Sequence, residues 1–246
     1  NTTSGKQISS LISLLKGRDA LLTTKTATAG FDGFVDTIVK VIKGRSVNRD
    51  PDLFKSIEEF GNYILAKKSS SFSLEVEERS IKIGGNMPIM ANALGSLGVK
   101  VNCVGALGYP QEHAMFGDLS ENCRLFSFAD PGTSTALEFN DGKIMIGNMG
   151  SLNTTEWERV KNSIGLDVLI QLFRESDLVC LLNWSEIEAT GDIWRGLLRE
   201  VLPHSASNSA RRFSFFDLSD CSKRNDEAIS EVLQLLAAFA KYSRVT

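Results

Sequence analysis

Apolar residues along this chain follow two different periods. Short strands are predicted at 26–30, 99–105, 124–128, 177–182 and 212–216, and the almost wholly apolar run at 177–182 is typical of a strand buried on both faces in a parallel sheet. Other stretches place apolar residues three or four positions apart, which is the period of an amphipathic helix. The predicted helices cover residues 6–17, 52–67, 86–97, 154–164, 166–175, 187–201 and 225–242. The second half of the chain therefore alternates strands with helices, as in a parallel sheet with right-handed crossovers.

A second set of strands alternates apolar with polar or charged residues, which is typical of strands with one face in water. These strands lie at about 34–46, 71–83 and 133–147, and Asn140-Asp141-Gly142 within the last range is a strong hairpin signal. They do not fit a layered core. We therefore predict a three-layer α/β/α fold with a mainly parallel central sheet, and a small antiparallel sheet beside it, in a single domain over 1–246.

Composition limits the classes of partner. The chain has 246 residues, a formal net charge of −3 at pH 7 and a sequence pI of about 5.6, so nucleic acid and an acidic membrane surface are disfavoured. No apolar run approaches the roughly 20 residues of a membrane-spanning helix. The four cysteines form no C-x-x-C pair and the two histidines are isolated. This pattern favours free thiols in a reducing cytoplasm and gives no support to a zinc site or a histidine-based triad.

Polar clusters follow several of the predicted strands. The members are Asp32 and Asp36, then Gly84, Gly85 and Asn86, then Asn183, and finally Asp217 and Asp220. Because ligands of α/β sheets bind at the carboxyl ends of the strands, we expect these clusters to share one crevice. A carboxylate there can accept hydrogen bonds from two sugar hydroxyls, and paired glycines let the backbone come close to a ligand. Each cluster taken alone also has a structural explanation, as a turn or a helix cap.

The order and spacing of these clusters resemble the ribokinase-like (PfkB) carbohydrate kinases, from about residue 26 to the end of the chain. The matching elements are the acidic residue after the first strand, best matched by Asp36, the Gly84-Gly85 turn with its small-residue helix up to Leu97-Gly98, the segment 131–139, and a strand end with Asp217, Ser219, Asp220 and Arg224. The resemblance implies a ribokinase-like fold in which the small sheet forms a lid over the sugar and a contact of a homodimer.

The activity that the resemblance implies is ATP-dependent phosphorylation of a hydroxyl on a sugar or sugar derivative, with Mg²⁺ bridging the phosphates. The residues placed around the sugar are Asp36, Asp32, Gly84, Gly85, Asn86 and Asn183, and those placed towards the metal and phosphate are Asp217 and Asp220. A nucleoside kinase or an ADP-dependent sugar kinase of the same architecture, or a non-catalytic sugar-binding protein, is the alternative.

The chain departs from the family pattern at two points. The family presents an Asn four residues past the second glycine, where this chain has Ile89, so Asn86 or Asn92 is expected to take its place. The late Gly-Ala-Gly-Asp motif of the family, whose amides bind the transferred phosphate and whose Asp is the general base, has no counterpart here. The partial match at 190–192 precedes the Asp217 element and is interpreted as a helix start. We therefore assign no catalytic residue, and expect the nucleotide-binding part and the catalytic Asp beyond residue 246.

Overall fold

The computed structural model describes residues 2–15, 19–46, 49–208 and 212–246, which form two β-sheets and eight α-helices. The strands are β1 (Thr26–Phe31), β2 (Phe34–Gly44), β3 (Asp52–Leu53), β4 (Glu75–Gly84), β5 (Lys100–Gly105), β6 (Cys123–Ser127), β7 (Gly132–Glu138), β8 (Lys143–Asn148), β9 (Leu178–Leu181), β10 (Phe213–Phe216) and β11 (Arg244–Val245). The helices are α1 (Thr2–Leu15), α2 (Asp19–Leu22), α3 (Ile57–Ala66), α4 (Asn86–Ser96), α5 (Trp157–Ile164), α6 (Leu166–Glu175), α7 (Thr190–Gly196) and α8 (Asp226–Phe239). Residues 16 and 17 of the first predicted helix lie outside the described residues.

The central sheet has six strands in the order β11-β10-β9-β1-β5-β6, and all of its neighbouring strands are parallel. The strand order reverses at β1, which pairs with β5 on one side and with β9 on the other. The carboxyl ends of β1, β9 and β10 consequently lie side by side. In α/β sheets such a reversal creates a crevice in which ligands bind.

Side chains of the central strands alternate between two hydrophobic clusters, one on each face of the sheet. Val179 and Leu181 of β9 belong to the cluster under helices α5, α6, α7 and α8. Cys180 and Leu182 belong to the other cluster, together with Met87 of α4. Because helices cover both faces, the strand is apolar along its whole length. The predicted three-layer arrangement is confirmed.

The second sheet joins β3, β2, β7 and β8, with β4 also paired to β2. The sequence predicted antiparallel strands only, but β2 and β7 run parallel, so the sheet is mixed. The reason lies in their connections to the central sheet. Strand β1 ends at Phe31 before β2 begins at Phe34, and β6 ends at Ser127 before β7 begins at Gly132. Both strands therefore leave the same carboxyl edge in the same direction.

Helix α3 covers one face of the second sheet. It begins later than the predicted range 52–67, because the Ser56 side chain accepts a hydrogen bond from the Glu59 N–H (3.0 Å) and caps the helix. Residues Asp52–Leu53 form β3 against the end of β2 instead. Phe60 of α3 packs in a third cluster with buried residues of β2 and β7. The opposite face of the sheet is left to face the crevice.

The predicted helix over 187–201 is divided into several short segments. A 3₁₀ turn (Trp184–Glu186) precedes α7, and a π-helical stretch (Leu197–Val201) follows it. Gly196 lies so close to Trp157 that a Cβ atom would meet its ring at 2.1 Å, which explains the glycine. Among the helices that the structure describes, none is long and apolar enough to cross a membrane.

Candidate functional site

A cavity of about 350 Å³ lies between the carboxyl edge of the central sheet and the second sheet. Its polar lining includes Asp36, Asn86, Ser134, Asn183, Glu186 and Lys223, and its apolar lining includes Phe34, Met145 and Met149. Gly85 and Ser219 also line it. The cavity thus brings together residues from three of the four polar clusters identified in the sequence, and it also includes Ser219, which lies between Asp217 and Asp220 of the fourth. This volume lies within the range of small-molecule sites.

Asp36 is held on the cavity side of the second sheet by its neighbour on β7. The parallel register places Asp36 opposite Ser134, and the Ser134 Oγ donates a hydrogen bond to Asp36 Oδ1 (2.6 Å). A Cβ atom on Gly84 would overlap the Asp36 carboxylate, so a larger residue here would have to displace that side chain. Ser134 lies within a segment that the sequence singled out, but its role depends on a strand pairing that the sequence did not predict.

The Gly84-Gly85 turn connects β4 to α4 next to the Asp32 carboxylate. Gly85 has φ +90°, a backbone conformation that favours glycine. The first two N–H groups of α4, from Asn86 and Met87, donate to Asp32 Oδ2 and Oδ1 at 2.7 Å each. These N–H groups are normally free at a helix start. Because Asp32 occupies them here, this helix terminus is not an open phosphate cradle.

Asp32 itself is completely buried (0 % exposed). Besides the two N–H groups, it accepts a hydrogen bond from Asn183 Nδ2 (2.7 Å). Burial raises the pKa of Asp32 from 3.8 to about 6, and the three donated hydrogen bonds oppose that rise. The sequence placed Asp32 around the sugar as a helper of Asp36. In the structure the Asp32 carboxylate has no exposed surface and does not line the cavity.

The Asp217 carboxylate lies beside the cavity and is already engaged on both oxygens. Asn86 Nδ2 donates to Asp217 Oδ2 (2.5 Å) and the Ser219 N–H donates to Oδ1 (2.9 Å). Asp220 is exposed and accepts hydrogen bonds from Ser222, which hold its pKa below the ordinary value. In the described ranges, no group of three or more His, Cys, Asp or Glu side chains could hold a metal ion.

Helix α4 offers Asn86 to the cavity and keeps Ile89 out of it. Ile89, at the position where the family has Asn, is 57 % exposed. Asn92 is occupied elsewhere, because its Oδ1 accepts a hydrogen bond from the Ser120 N–H (2.9 Å). Of the two expected replacements, only Asn86 lines the cavity.

An ion pair between Lys223 and Glu186 closes one side of the cavity. Lys223 Nζ lies 2.7 Å from both carboxylate oxygens of Glu186. This pair was not predicted, because the two residues lie 37 positions apart, although Glu186 belongs to the polar segment that begins at Asn183. The pair supplies the cavity with both a positive and a negative charge.

The fold is that of the ribokinase-like carbohydrate kinases, as the resemblance predicted. It is similar to a carbohydrate kinase from Agrobacterium tumefaciens, with a TM-score of 0.55 and 13% identity over 87% of this chain and 58% of that one. It is also similar to an adenosine kinase from Schistosoma mansoni, with a TM-score of 0.51 and 14% identity over 87% of this chain and 61% of that one.

The sequence comparison identifies a more specific family than the structural comparison does. The model of the prokaryotic ketohexokinase family matches residues 19–246, and the chain belongs to that family. A ketohexokinase from Haloferax volcanii is 29% identical over 223 residues, which are 88% of this chain and 57% of that protein. The chain therefore spans little more than half the length of this curated relative.

Proposed function

We propose that this chain supplies the sugar-binding part of an ATP-dependent kinase that phosphorylates a hydroxyl of a ketohexose. The membership of the prokaryotic ketohexokinase family and the name of the Haloferax volcanii relative support the substrate class. The observation that carries the proposal is the position of Asp36. Its carboxylate lines a sugar-sized cavity at the edge where the strand order reverses.

The cavity has the chemistry that a sugar needs. The carboxylate of Asp36 accepts hydrogen bonds from hydroxyl groups, and hydrogen bonds to a charged acceptor are stronger than neutral ones. Asn86 and Asn183 add amide groups, while Phe34 and Met145 offer apolar surface to the C–H faces of the ring. We assign the sugar to this set, and propose that the second sheet acts as its lid. Contact between the second sheets of two copies, and a cytoplasmic location, remain predictions.

We propose ATP as the phosphoryl donor and Mg²⁺ as its metal ion because the family consists of kinases. In phosphoryl transfer, Mg²⁺ bridges the phosphates and neutralises the charge that develops on them. Within the described ranges, no group of three or more His, Cys, Asp or Glu side chains forms a metal site. Both oxygens of Asp217 accept hydrogen bonds, and Asp220 caps a turn. We therefore assign no step to the metal here. The predicted role of Asp217 and Asp220 near metal and phosphate stays a prediction.

A ligand screen by thermal unfolding tests the proposal on the full-length protein. A specific ligand stabilises the native state by a free energy that grows with the logarithm of its concentration relative to Kd. A ketohexose such as D-fructose at 100 times its Kd should raise Tm by about 5 °C or more. Aldohexoses and adenosine are the matched controls. Stabilisation by adenosine and by no ketose would overturn the proposed substrate class, and the same samples assayed for sugar-dependent ATP consumption test the reaction.

A further inference from the structure

A second cavity, of about 320 Å³, lies on the opposite side of β1 from β9 and β10, next to the ends of β5 and β6. It shares no lining residue with the cavity assigned to the sugar. Its walls come from the segment after β5, the β6–β7 connection, the β8–α5 connection and α5, and they include Tyr109, Asp130, Ser151, Thr154, Thr155 and Arg159. The volume falls within the range of small-molecule sites.

Arg159 gives the second cavity a positive charge that no carboxylate neutralises. Its guanidinium lies over the Tyr109 ring, 4.4 Å from the centroid, and its Nε donates to the Phe128 carbonyl oxygen (3.0 Å). Among the residues that the structure describes, Arg159 has no ion pair, and its two terminal nitrogens donate no hydrogen bond. The ring and the carbonyl fix the plane of the guanidinium, so its terminal N–H groups stay available for a bidentate contact with an oxyanion.

Three hydroxyl groups and one carboxylate line the rest of the second cavity. The Ser151 hydroxyl makes no hydrogen bond within the described part of the chain, whereas the Thr154 and Thr155 hydroxyls both donate to the Ser151 carbonyl oxygen (3.2 and 2.8 Å). Asp130 Oδ1 accepts a hydrogen bond from the Tyr109 N–H (3.0 Å), and this carboxylate forms no ion pair with the described residues. Hydroxyl and carboxylate oxygens accept hydrogen bonds from the hydroxyls of a sugar.

The two charges of the second cavity select the class of ligand. A phosphate group suits Arg159, but the negative charge of Asp130 in the same cavity disfavours an occupant that is anionic throughout. A ligand that combines one phosphate with neutral hydroxyl groups satisfies both residues.

We infer that the second cavity binds a sugar phosphate, with its phosphate on Arg159 and its hydroxyls on Asp130 and Ser151. The class of ligand follows from the residues of the second cavity. The identity of the sugar rests on the proposed function, because a ketohexose phosphate is the product of that reaction. The site is therefore expected to hold the product of the enzyme at a distance from the cavity in which it is made.

Titration calorimetry of the full-length protein with D-fructose 1-phosphate tests this site, with D-fructose present at saturation so that the sugar cavity is occupied. The wild type should bind one further molecule per chain. Arg159→Gln should weaken that binding about tenfold or more, as expected for loss of a contact between two charged groups. Arg124→Gln is the matched control, because Arg124 also lies over an aromatic ring, that of Phe126 (4.8 Å), but does not line the second cavity. No binding by the wild type, or equal binding by Arg159→Gln, would overturn the assignment.

Inorganic phosphate separates the sugar part of the ligand from its phosphate. It cannot bring hydroxyl groups of a sugar to Asp130, so it should bind at least about tenfold more weakly than D-fructose 1-phosphate. Equal affinities would overturn the assignment to a sugar phosphate.

Ser151→Ala keeps the inference testable if Arg159→Gln does not fold, which thermal unfolding shows. The Ser151 hydroxyl has no hydrogen bond in the described part of the chain, so its loss should leave Tm unchanged and weaken D-fructose 1-phosphate binding about threefold to tenfold. Unchanged affinity in this variant would contradict the site. A titration with D-fructose alone tests the proposed function separately, because its failure leaves the Arg159-dependent binding of the sugar phosphate intact.

Discussion

The two sheets of this protein differ in how their faces are covered. Helices pack on both faces of the central sheet, and its strands contribute to two separate hydrophobic clusters. The second sheet has one face under α3, in a cluster of few residues, and it turns Asp36 and Ser134 on its other face towards the cavity. The difference separates two tasks. The central sheet carries most of the apolar burial, while the second sheet keeps polar side chains beside the cavity.

The largest expected effect is on the central sheet. Phe173 of α6 is fully buried in the larger cluster, and Phe173→Ala should lower the free energy of unfolding by about 3–5 kcal/mol. Ile81 on the second sheet is 46 % exposed, and Ile81→Ala is the matched control with an expected cost below about 1 kcal/mol. Urea denaturation measures both. Equal costs at the two positions would contradict the division between the sheets.

The second effect concerns Asp32, where the two sheets meet. The ordinary pKa of an Asp is 3.8, and burial raises that of Asp32 to about 6 in the native protein. Between pH 3.8 and pH 6 the native state therefore binds more protons than the unfolded state. The contribution of Asp32 to the free energy of unfolding is therefore fully present below about pH 4. It is lost as pH rises through 6, by about 3 kcal/mol in total.

Asp32→Asn lacks this titration and is the reference for it. The free energy of unfolding of the wild type, minus that of the variant, should fall between pH 4 and pH 7. Urea denaturation at four pH values in this range gives the difference directly. A difference that rises with pH would show that the carboxylate is stabilised, not destabilised, by its buried position.

A smaller effect is expected where the second sheet meets α4. A Cβ atom at Gly84 would lie within 2.4 Å of the Asp36 carboxylate, so Gly84→Ala should displace that carboxylate and cost about 1–3 kcal/mol of stability by overpacking. Gly61 inside α3 has no atom within 4 Å of an added Cβ, and Gly61→Ala should stabilise the protein by about 0.5–1 kcal/mol. The affinity for D-fructose should fall only in Gly84→Ala. Equal affinities of Gly84→Ala and Gly61→Ala would show that Gly84 does not shape the sugar site.

Local patterns in the sequence were enough to predict individual strands of both sheets. The apolar run of β9 and the hairpin at Asn140-Asp141-Gly142 are local signals, and the structure has both, with β7 and β8 joined at that turn. The gathering of Asp36, Gly85 and Asn183 at one cavity was also expected from the sequence. The expected reason holds for Asn183 alone, because Asp36 lies within β2 and Gly85 follows β4, both in the second sheet.

Other features of the site depend on contacts between distant parts of the chain. The parallel pairing of β2 with β7 placed Ser134 against Asp36 across 98 positions. The burial of Asp32 depends on donors 54 and 151 positions away, and no local pattern distinguishes it from Asp36, four residues later. Aspartates after a strand look alike in a sequence, and only the fold decides which one lines the cavity.

The most direct test of the account is the affinity of the Asp36→Asn variant for D-fructose, measured by titration calorimetry. This change removes the charge but keeps the shape, so the affinity should fall about tenfold or more, as expected for hydrogen bonds to a charged group. Glu78→Gln is the matched control, because Glu78 is exposed on the same sheet and pairs with Val39 of the α3-covered face. Loss of affinity in the first variant alone is the predicted result. Unchanged binding in Asp36→Asn would contradict the assignment of the sugar to this cavity.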